Sequence, residues 1–173
     1  LRNLRPARIL IVRQHNQMGD MLRATPALRA IRETWPAAEI ALVTAPVNRG
    51  VVEFNPHVDR IMTFDRRVWR HAGRLTGFLG EIRGFRSDLA FVLSSVSFSV
   101  TSAWIAAISG ARHIVGADSR PFGWDVSRHF FSLELPSDPV MDCHAIAHSL
   151  APLQAVGITT DDTFPVMVSA PQQ

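Results

Sequence analysis

The sequence predicts an α/β protein with a Rossmann-like, doubly wound and mostly parallel sheet that carries helices on both faces. Two observations support this fold class. The aliphatic run Ile9-Leu10-Ile11-Val12 is unbroken, as expected of a strand that is buried on both faces. Short apolar segments and longer amphipathic segments then alternate along the chain, which is the pattern of βαβ units with right-handed crossovers. At 173 residues the chain suits one domain.

The first strand is followed by a polar loop and then a helix. The loop ends in the pair Gly19-Asp20, after which Thr25 offers a hydroxyl cap and Pro26 occupies the first helical position. In doubly wound folds, ligands bind beyond the carboxyl ends of the strands, which is where this loop falls. Asp20 is therefore the leading candidate for a functional residue, and we expect it in a loop that faces a cleft.

Further strands and helices follow in order, separated by turn-forming residues. Apolar β-forming runs predict strands over residues 39–44, 60–64, 88–93, 112–115, 130–135 and 164–168. Helical spacing predicts helices over residues 48–54, 67–84, 97–109 and 142–156, the last two stopped by Gly110 and Gly157. Residues 117–128 are predicted to form a polar loop, and residues 169–173 a linker.

The same stretches resemble a known family. The segments that carry the resemblance are ILIVR (9–13), GDML (19–22), TPALRAIRETWP (25–36), AEIALVT (38–44) and FNPHVDRIMTFD (54–65). In this order they resemble the amino-terminal half of glycosyltransferase family 9, the ADP-heptose:lipopolysaccharide heptosyltransferases. The resemblance covers residues 8–65 and returns weakly over residues 144–158. The loop at residues 14–18 departs from the family pattern because its polar insert is longer.

The resemblance implies the amino-terminal half of a GT-B transferase. Residues 1–168 would form a Rossmann-like acceptor-side domain, and residues 169–173 a linker stub to a carboxyl-terminal, donor-binding domain that the chain lacks. The implied enzyme transfers a heptose or similar sugar from a nucleotide-sugar such as ADP-heptose to a lipopolysaccharide-type glycolipid, with inversion and without a bound metal or cofactor. We expect a cytoplasmic protein with peripheral contact to the inner face of the cytoplasmic membrane, and an isolated chain that folds but does not turn over.

The resemblance also assigns a role to Asp20. The matching aspartate in the family is the proposed general base, which takes the proton from the acceptor hydroxyl as that oxygen attacks the anomeric carbon of the donor. Gly19 would let the backbone come close to the reacting sugars. Two alternatives stay open from the residues alone: Asp20 is an N-cap of the following helix, or His15 is the base, since its pKa is ordinarily near neutrality.

Arginines supply the candidate ligands for anionic groups. All 18 cationic side chains of the chain are arginine, which binds phosphate in a bidentate manner, although a genome rich in G and C explains the same bias. Arg13 at the end of the first strand is a candidate for contact with a phosphate of donor or acceptor. Arg66, Arg67 and Arg120 are weaker candidates for anionic groups of the acceptor.

Several other functions lack support in the sequence. The single cysteine, Cys143, cannot form an internal disulfide, and the pair His144 and His148 has no evident third ligand for a metal. The chain lacks GxGxxG and the P-loop signature, which argues against NAD and against a P-loop nucleotide site. The net charge of +3, without a recognised motif, does not indicate nucleic-acid binding. Ser94 and Ser95 close the fourth strand but are weak candidates.

Two other classes of function remain open. The first is a stand-alone α/β binding module for a small anion or nucleotide, and the second is an intact single-domain enzyme that uses His15. The length of the parent reading frame distinguishes these alternatives. About twice the present length would favour the transferase, and a stop near Gln173 would favour the module.

Overall fold

The fold is that of a computed structural model, which describes residues 3–14, 17–93, 98–137 and 145–168. Its strands are β1 (Arg8–Arg13), β2 (Glu39–Thr44), β3 (Arg60–Thr63), β4 (Leu89–Val92), β5 (His113–Ala117) and β6 (Leu133–Leu135). Within the described residues they form one sheet of order β3-β2-β1-β4-β5-β6, and every neighbouring pair is parallel. The predicted fold class is confirmed.

Six helices surround this sheet in the described part of the chain. They are α1 (Met18–Arg23), α2 (Thr25–Thr34), α3 (Arg49–Val52), α4 (Ala72–Phe85), α5 (Val100–Ile108) and α6 (Ala145–Ala155). Short 3-10 turns occupy Pro46–Asn48, Arg66–Arg70, Arg120–Phe122 and Ser127–His129. Among the described residues, no helix is long and apolar enough to cross a bilayer.

The central strand β1 explains how the layers are held together. Its side chains alternate between the two faces of the sheet, and all four aliphatic ones are almost fully buried. Ile9 and Ile11 belong to a core that includes residues of α2 and α6. Leu10 and Val12 belong to a second core that includes residues of α4 and α5. An unbroken aliphatic run is therefore required, because neither face of this strand meets water.

The start of α2 differs from the prediction. Ala24 is the N-cap, and Thr25 is the first helical residue with Pro26 behind it. The Thr25 hydroxyl does not cap the helix; it donates to the carbonyl of Leu22, at 2.8 Å. The reason is that a short helix, α1, precedes α2 directly, so Ala24 takes the N-cap position and Thr25 is already inside α2.

The predicted helix over residues 67–84 is two elements. A 3-10 turn over Arg66–Arg70 comes first, His71 is extended, and α4 begins at Ala72. Asp65 initiates the turn, since its Oδ1 accepts from the backbone N–H of Arg67 at 2.9 Å. Likewise the predicted helix over residues 48–54 is the 3-10 turn Pro46–Asn48 running into the short α3.

Two strand predictions also need correction. β5 does not stop before Gly116 but continues to Ala117. The prediction of a strand over residues 164–168 is wrong: the segment is irregular and lies along α2. The carbonyl of Phe164 accepts from Arg29, and the N–H of Val166 donates to the Thr25 hydroxyl. Because these backbone groups bond to helix side chains, they are not used in a ladder with another strand.

The remaining boundaries lie close to their predicted positions. β4 and β6 fall inside the predicted ranges, and α5 begins at Val100 with Ser99 as its N-cap. Gly110 and Gly157 follow α5 and α6 with φ of 72° and 82°, the left-handed conformation that ends helices. Residues 142–144 of the predicted last helix, and the linker at residues 169–173, lie outside the described residues.

Candidate functional site

A cavity lies beyond the carboxyl ends of β1, β2 and β3. Its volume is about 440 Å³. It is lined by residues that follow these strands: Gln14, Ala45, Pro46, Val47, Phe64, Asp65, Arg66 and Arg67. Parallel strands deliver the loops that follow them to one edge of the sheet, which is why residues so far apart in sequence share one wall.

A second cavity of about 350 Å³ lies between the end of β1 and the start of α5. It is lined by Gln14, Arg66, Phe98, Ser99, Val100, Thr101 and Ser102. Gln14 and Arg66 line both cavities, so the two adjoin. We call the two cavities together, with the residues named for each, the carboxyl-edge groove.

The amino end of α5 forms part of this groove. Ser99 caps the helix, and its Oγ accepts from the backbone N–H of Ser102 at 3.3 Å. Backbone N–H groups and the positive end of the helix dipole favour anions at such a position. Together with the cationic Arg66, the second cavity is therefore suited to a negatively charged group.

Arg13 links β1 to β4 beside the groove. Its guanidinium donates to the carbonyl of Leu93, directly after β4. β1 and β4 flank the point where the strand order reverses, which is where ligands bind in doubly wound folds. Burial lowers the pKa of Arg13, and the nearby negative charge of Asp20 opposes that shift. The Nε of Arg13 has no acceptor among the described residues and so remains a free donor.

Asp20 lies in the first turn of α1, so the prediction that it lies in a loop is wrong. The carbonyl of Gln17 accepts from the N–H groups of Asp20 and Met21, and the buried Met21 side chain anchors this turn in the core. The N-cap of α1 is Gln17 and not Asp20, whose carboxylate accepts from the Arg23 guanidinium. Its Oδ1 lies 3.2 Å from Nη1 of Arg23, and the side chain is 25% exposed.

Asp20 lines neither cavity of the groove, although its helix packs against one of the turns that do. α1 packs against the turn Pro46–Asn48, and Pro46 lines the first cavity. Gly19, next to Asp20, is exposed, and a Cβ added to it would meet no atom within 4 Å. Among the described residues, nothing fills the space directly beside Gly19.

Arg66 and Arg67 are the predicted anion ligands that the structure places in the groove. Both are exposed, both lie in the turn Arg66–Arg70, and both line the first cavity. Among the described residues, no carboxylate forms an ion pair with either one. Their charges are thus available to an anionic ligand.

Arg120 is separated from this group. It follows β5 and lines neither cavity of the groove. Its guanidinium is held by Asp118, with Nε 2.8 Å and Nη2 2.7 Å from Oδ2. This hydrogen bond is the main cause that raises the pKa of Arg120 and lowers the pKa of Asp118. An anion would have to compete with Asp118 for Arg120.

Some of the residues named in the sequence analysis have no described position. His15, Ser94, Ser95, Cys143 and His144 lie outside the described residues. In the part of the chain that is described, no group of three or more His, Cys, Asp or Glu side chains is arranged to hold a metal ion.

Sequence reasoning missed Gln14, Thr101 and Ser102 as lining residues. A signal was present for two of them. Gln14 directly follows a buried strand, and Ser102 lies three residues after a serine that has the spacing of an N-cap.

Comparison with known proteins relates the fold to glycosyltransferases. No protein-family model matches the sequence, and no curated protein is significantly similar to it. The crystal structure of a glycosyl transferase family 9 protein from Veillonella parvula superposes with a TM-score of 0.78 at 19% identity over 96% of this chain. E. coli heptosyltransferase WaaC with ADP superposes with a TM-score of 0.69 at 19% identity over 88% of this chain. E. coli ADP-heptose lps heptosyltransferase II superposes with a TM-score of 0.66 at 18% identity over 94% of it.

This chain corresponds to only part of those structures. It covers 46%, 48% and 47% of the three chains, so it spans about half their length. At such low identities the likeness establishes the fold, which is the Rossmann-like α/β fold of these neighbours.

Proposed function

We propose that this chain is the amino-terminal, acceptor-side part of an inverting glycosyltransferase of GT-B type. The proposed reaction transfers a heptose or a similar sugar from a nucleotide-sugar of the ADP-heptose type to a lipopolysaccharide-type glycolipid. The observation that carries this proposal is that α1, the helix of Asp20, packs against a turn that lines an open, arginine-lined groove at the carboxyl edge of a glycosyltransferase-like sheet.

The ligands of the neighbours support the choice of donor. E. coli heptosyltransferase WaaC was crystallised with ADP and also with ADP-2-deoxy-2-fluoro heptose. The sequence segments that resemble glycosyltransferase family 9 include the GDML stretch that contains Asp20. Fold and local sequence therefore favour the same class of donor.

In the proposed reaction Asp20 is the general base. Its carboxylate takes the proton of an acceptor hydroxyl while that oxygen attacks the anomeric carbon of the donor, and the bond from that carbon to the nucleoside diphosphate breaks. Attack from the side opposite the leaving group inverts the anomeric configuration. Partial exposure and open space at Gly19 allow an acceptor hydroxyl to approach the carboxylate.

Cationic groups of the groove would orient the acceptor. Arg66 and Arg67 are exposed and have no ion-pair partner among the described residues, so they can bind anionic groups of a glycolipid core. The amino end of α5 supplies further donors on the other side of Arg66. Arg13 contributes a buried positive charge beside Gln14, which lines both cavities, and its Nε is buried without an acceptor among the described residues.

The test is Asp20→Asn in the full-length transferase that the proposal implies. Asparagine keeps the size of aspartate and cannot act as a base, so kcat should fall by about 10²- to 10⁴-fold. The KM for the donor should stay near wild type, because the donor is expected to bind mainly to the other domain. Thermal unfolding should change little, since the partly exposed i,i+3 pair with Arg23 contributes roughly 0.3–0.5 kcal/mol.

The matched control is Arg23→Gln. This substitution removes the same ion pair and leaves the carboxylate in place, so kcat should remain near wild type. If Asp20→Asn retains most of its kcat, Asp20 is not the base. His15→Gln then becomes the next variant to assay.

A further inference from the structure

A segment without regular secondary structure, residues 160–166, lies along α2. We call this segment the strap. It follows Ile158, whose burial in the core fixes the place where the strap begins. Helix α2 carries the polar side chains Thr25, Arg29 and Glu33 at four-residue spacing, and this spacing places them on one face of the helix, one turn apart.

All three of these side chains contact the strap. From the carboxyl end of α2 to its start, the contacts are Thr160 Oγ1 to Glu33 at 3.5 Å, the Phe164 carbonyl to Arg29 at 3.2 Å and the Val166 N–H to Thr25 at 2.9 Å. The strap therefore runs in the opposite direction to α2 and bonds to successive turns of the helix.

Arg29 holds the middle of the strap. Its side chain is 10% exposed, and its guanidinium pairs with the carboxylate of Asp162. The other oxygen of this carboxylate, Oδ1, accepts from the backbone N–H of Phe164 at 3.0 Å. A buried guanidinium is costly unless it is paired and hydrogen-bonded. The strap supplies both a carboxylate and a carbonyl, so the charge on α2 ties the strap to the helix.

Thr25 joins the strap to α1. Its side chain is buried, and its hydroxyl accepts from the N–H of Val166 while it donates to the carbonyl of Leu22 at 2.8 Å. Leu22 lies in the last turn of α1, where backbone carbonyls have no partner further along the helix. One hydroxyl therefore connects the strap to the end of the helix that carries Asp20.

Helix α1 depends on contacts outside itself. It has six residues, and isolated helices of that length are not stable in water. The buried side chain of Met21 holds its middle, and the bond from Thr25 to Leu22 holds its end. Asp20 lies between the free start of α1 and these two anchors. A displacement of about 1 Å at a reacting group can lower a rate by about 10²-fold.

We propose that the strap is a clasp that sets the position of α1, and that Thr25 and Arg29 are positioning residues for Asp20. Neither of them lines a cavity of the carboxyl-edge groove, so both act through the helix and not on a ligand. The effect on catalysis rests on the proposed function. The effect on α1 does not, because it needs only the contacts of the strap.

The first experiment is amide hydrogen exchange in this chain. Asp162→Asn removes the charge that pairs with Arg29 and changes no residue of α1. The amides of Met21 and Ala24, which are bonded within and just after α1, should exchange about 3- to 10-fold faster. This ratio corresponds to the net contribution of about one hydrogen bond to local stability.

The matched control for Asp162→Asn is Asp59→Asn. Asp59 pairs with Arg32 of the same helix at 2.5 Å, but it lies outside the strap. Its substitution should leave exchange in α1 at the wild-type rate. Equal acceleration by the two variants would show general loosening of α2, and unchanged exchange in Asp162→Asn would show that the strap does not hold α1. Either result would overturn the proposal.

The second experiment is Thr25→Val in the full-length transferase that the proposed function implies. Valine keeps the shape of threonine and lacks the hydroxyl, so kcat should fall by about 10- to 100-fold as Asp20 loses its position. The KM for the donor should stay near wild type. Thr25→Ser returns the hydroxyl and should restore most of kcat, which a purely steric role of the side chain would not explain.

Thr34→Val is the matched control in the same helix. The Thr34 hydroxyl donates to the carbonyl of Ala30 at 2.7 Å, one turn before it within α2. Its loss should leave kcat near wild type. Equal kcat values in Thr25→Val and Thr34→Val would contradict a positioning role for Thr25, as would failure of Thr25→Ser to restore activity.

Two further readouts keep the result decisive. If Thr25→Val does not fold, Asp162→Asn carries the kinetic test, since Asp162 is 53% exposed and lies at the surface. Its kcat should then fall with the donor KM unchanged, and a wild-type kcat would count against the clasp. If Asp20→Asn retains its kcat, the proposed role of Asp20 fails, while hydrogen exchange in α1 still decides whether the strap is a clasp.

Discussion

The arginines show how position determines the role of one residue type. Arg13 is buried and bonded to the carbonyl of Leu93, Arg120 is held by Asp118, and Arg66 is exposed at the groove. A guanidinium has the same five N–H donors in all three settings. What differs is whether a carboxylate or carbonyl of the protein already uses its donors.

His57 gives a prediction on pH dependence. It lies between α3 and β3. Burial is the largest cause that lowers its pKa, and the positive charges of Arg29 and Arg32 lower it further. The negative charge of Glu33 opposes this shift. The unfolded chain therefore binds a proton more readily than the folded one, and the free energy of unfolding should fall as pH drops from about 6.5 towards the lower folded value. His57→Gln should flatten this slope, as measured by urea unfolding across that range.

The control for His57 is an exposed histidine, His129. His129→Gln should keep the wild-type slope. An unchanged slope in His57→Gln would contradict the assignment of the pH dependence to His57.

At the scale of elements, strand β5 lies so close to the ring of Phe131 that position 116 requires a residue without a side chain. This residue lies inside β5, and a Cβ there would come within 2.4 Å of the buried Phe131 ring. Gly116→Ala should lower the free energy of unfolding by about 1–3 kcal/mol, because the ring must shift within a packed core. Chemical denaturation measures this loss.

Gly80 is the matched control for Gly116. It lies in α4, and a Cβ there meets nothing within 4 Å. Gly80→Ala should raise the free energy of unfolding by about 0.5–1 kcal/mol through its helix preference. Equal effects of the two substitutions would show that Phe131 moves aside at little cost.

At the scale of the whole molecule, the groove is formed by loops that follow several parallel strands. The chain spans about half the length of its structural neighbours. Small-molecule sites bury about 70–90% of a ligand. The groove lies at one edge of this sheet, and in the proposed transferase the donor binds mainly to a second domain. We therefore expect weak or undetectable binding of an ADP-sugar to this chain alone by titration calorimetry, with the full-length protein as the positive control. Tight binding by the chain alone would contradict the division into an acceptor side and a donor side.

Sequence alone determined the fold class and most elements of this protein. The run Ile9 to Val12 predicted a strand buried on both faces, and alternation of strands with helices implied a parallel sheet. The placement of Gly19 and Asp20 after that strand predicted a site at the carboxyl edge of the sheet, which is the edge where ligands bind in doubly wound folds. These features follow from local periodicity and from the order of the elements, which a sequence displays directly.

Tertiary structure alone decided which of the distant side chains meet. It brought Gln14, Arg66 and the start of α5 to one groove, held Arg120 on Asp118, and laid residues 164–168 along α2 instead of in the sheet. It also placed Asp20 in a helix whose next residue, Met21, is buried in the core. Each outcome depends on contacts between residues far apart in the chain, and the periodicity of a short segment carries no information about such partners.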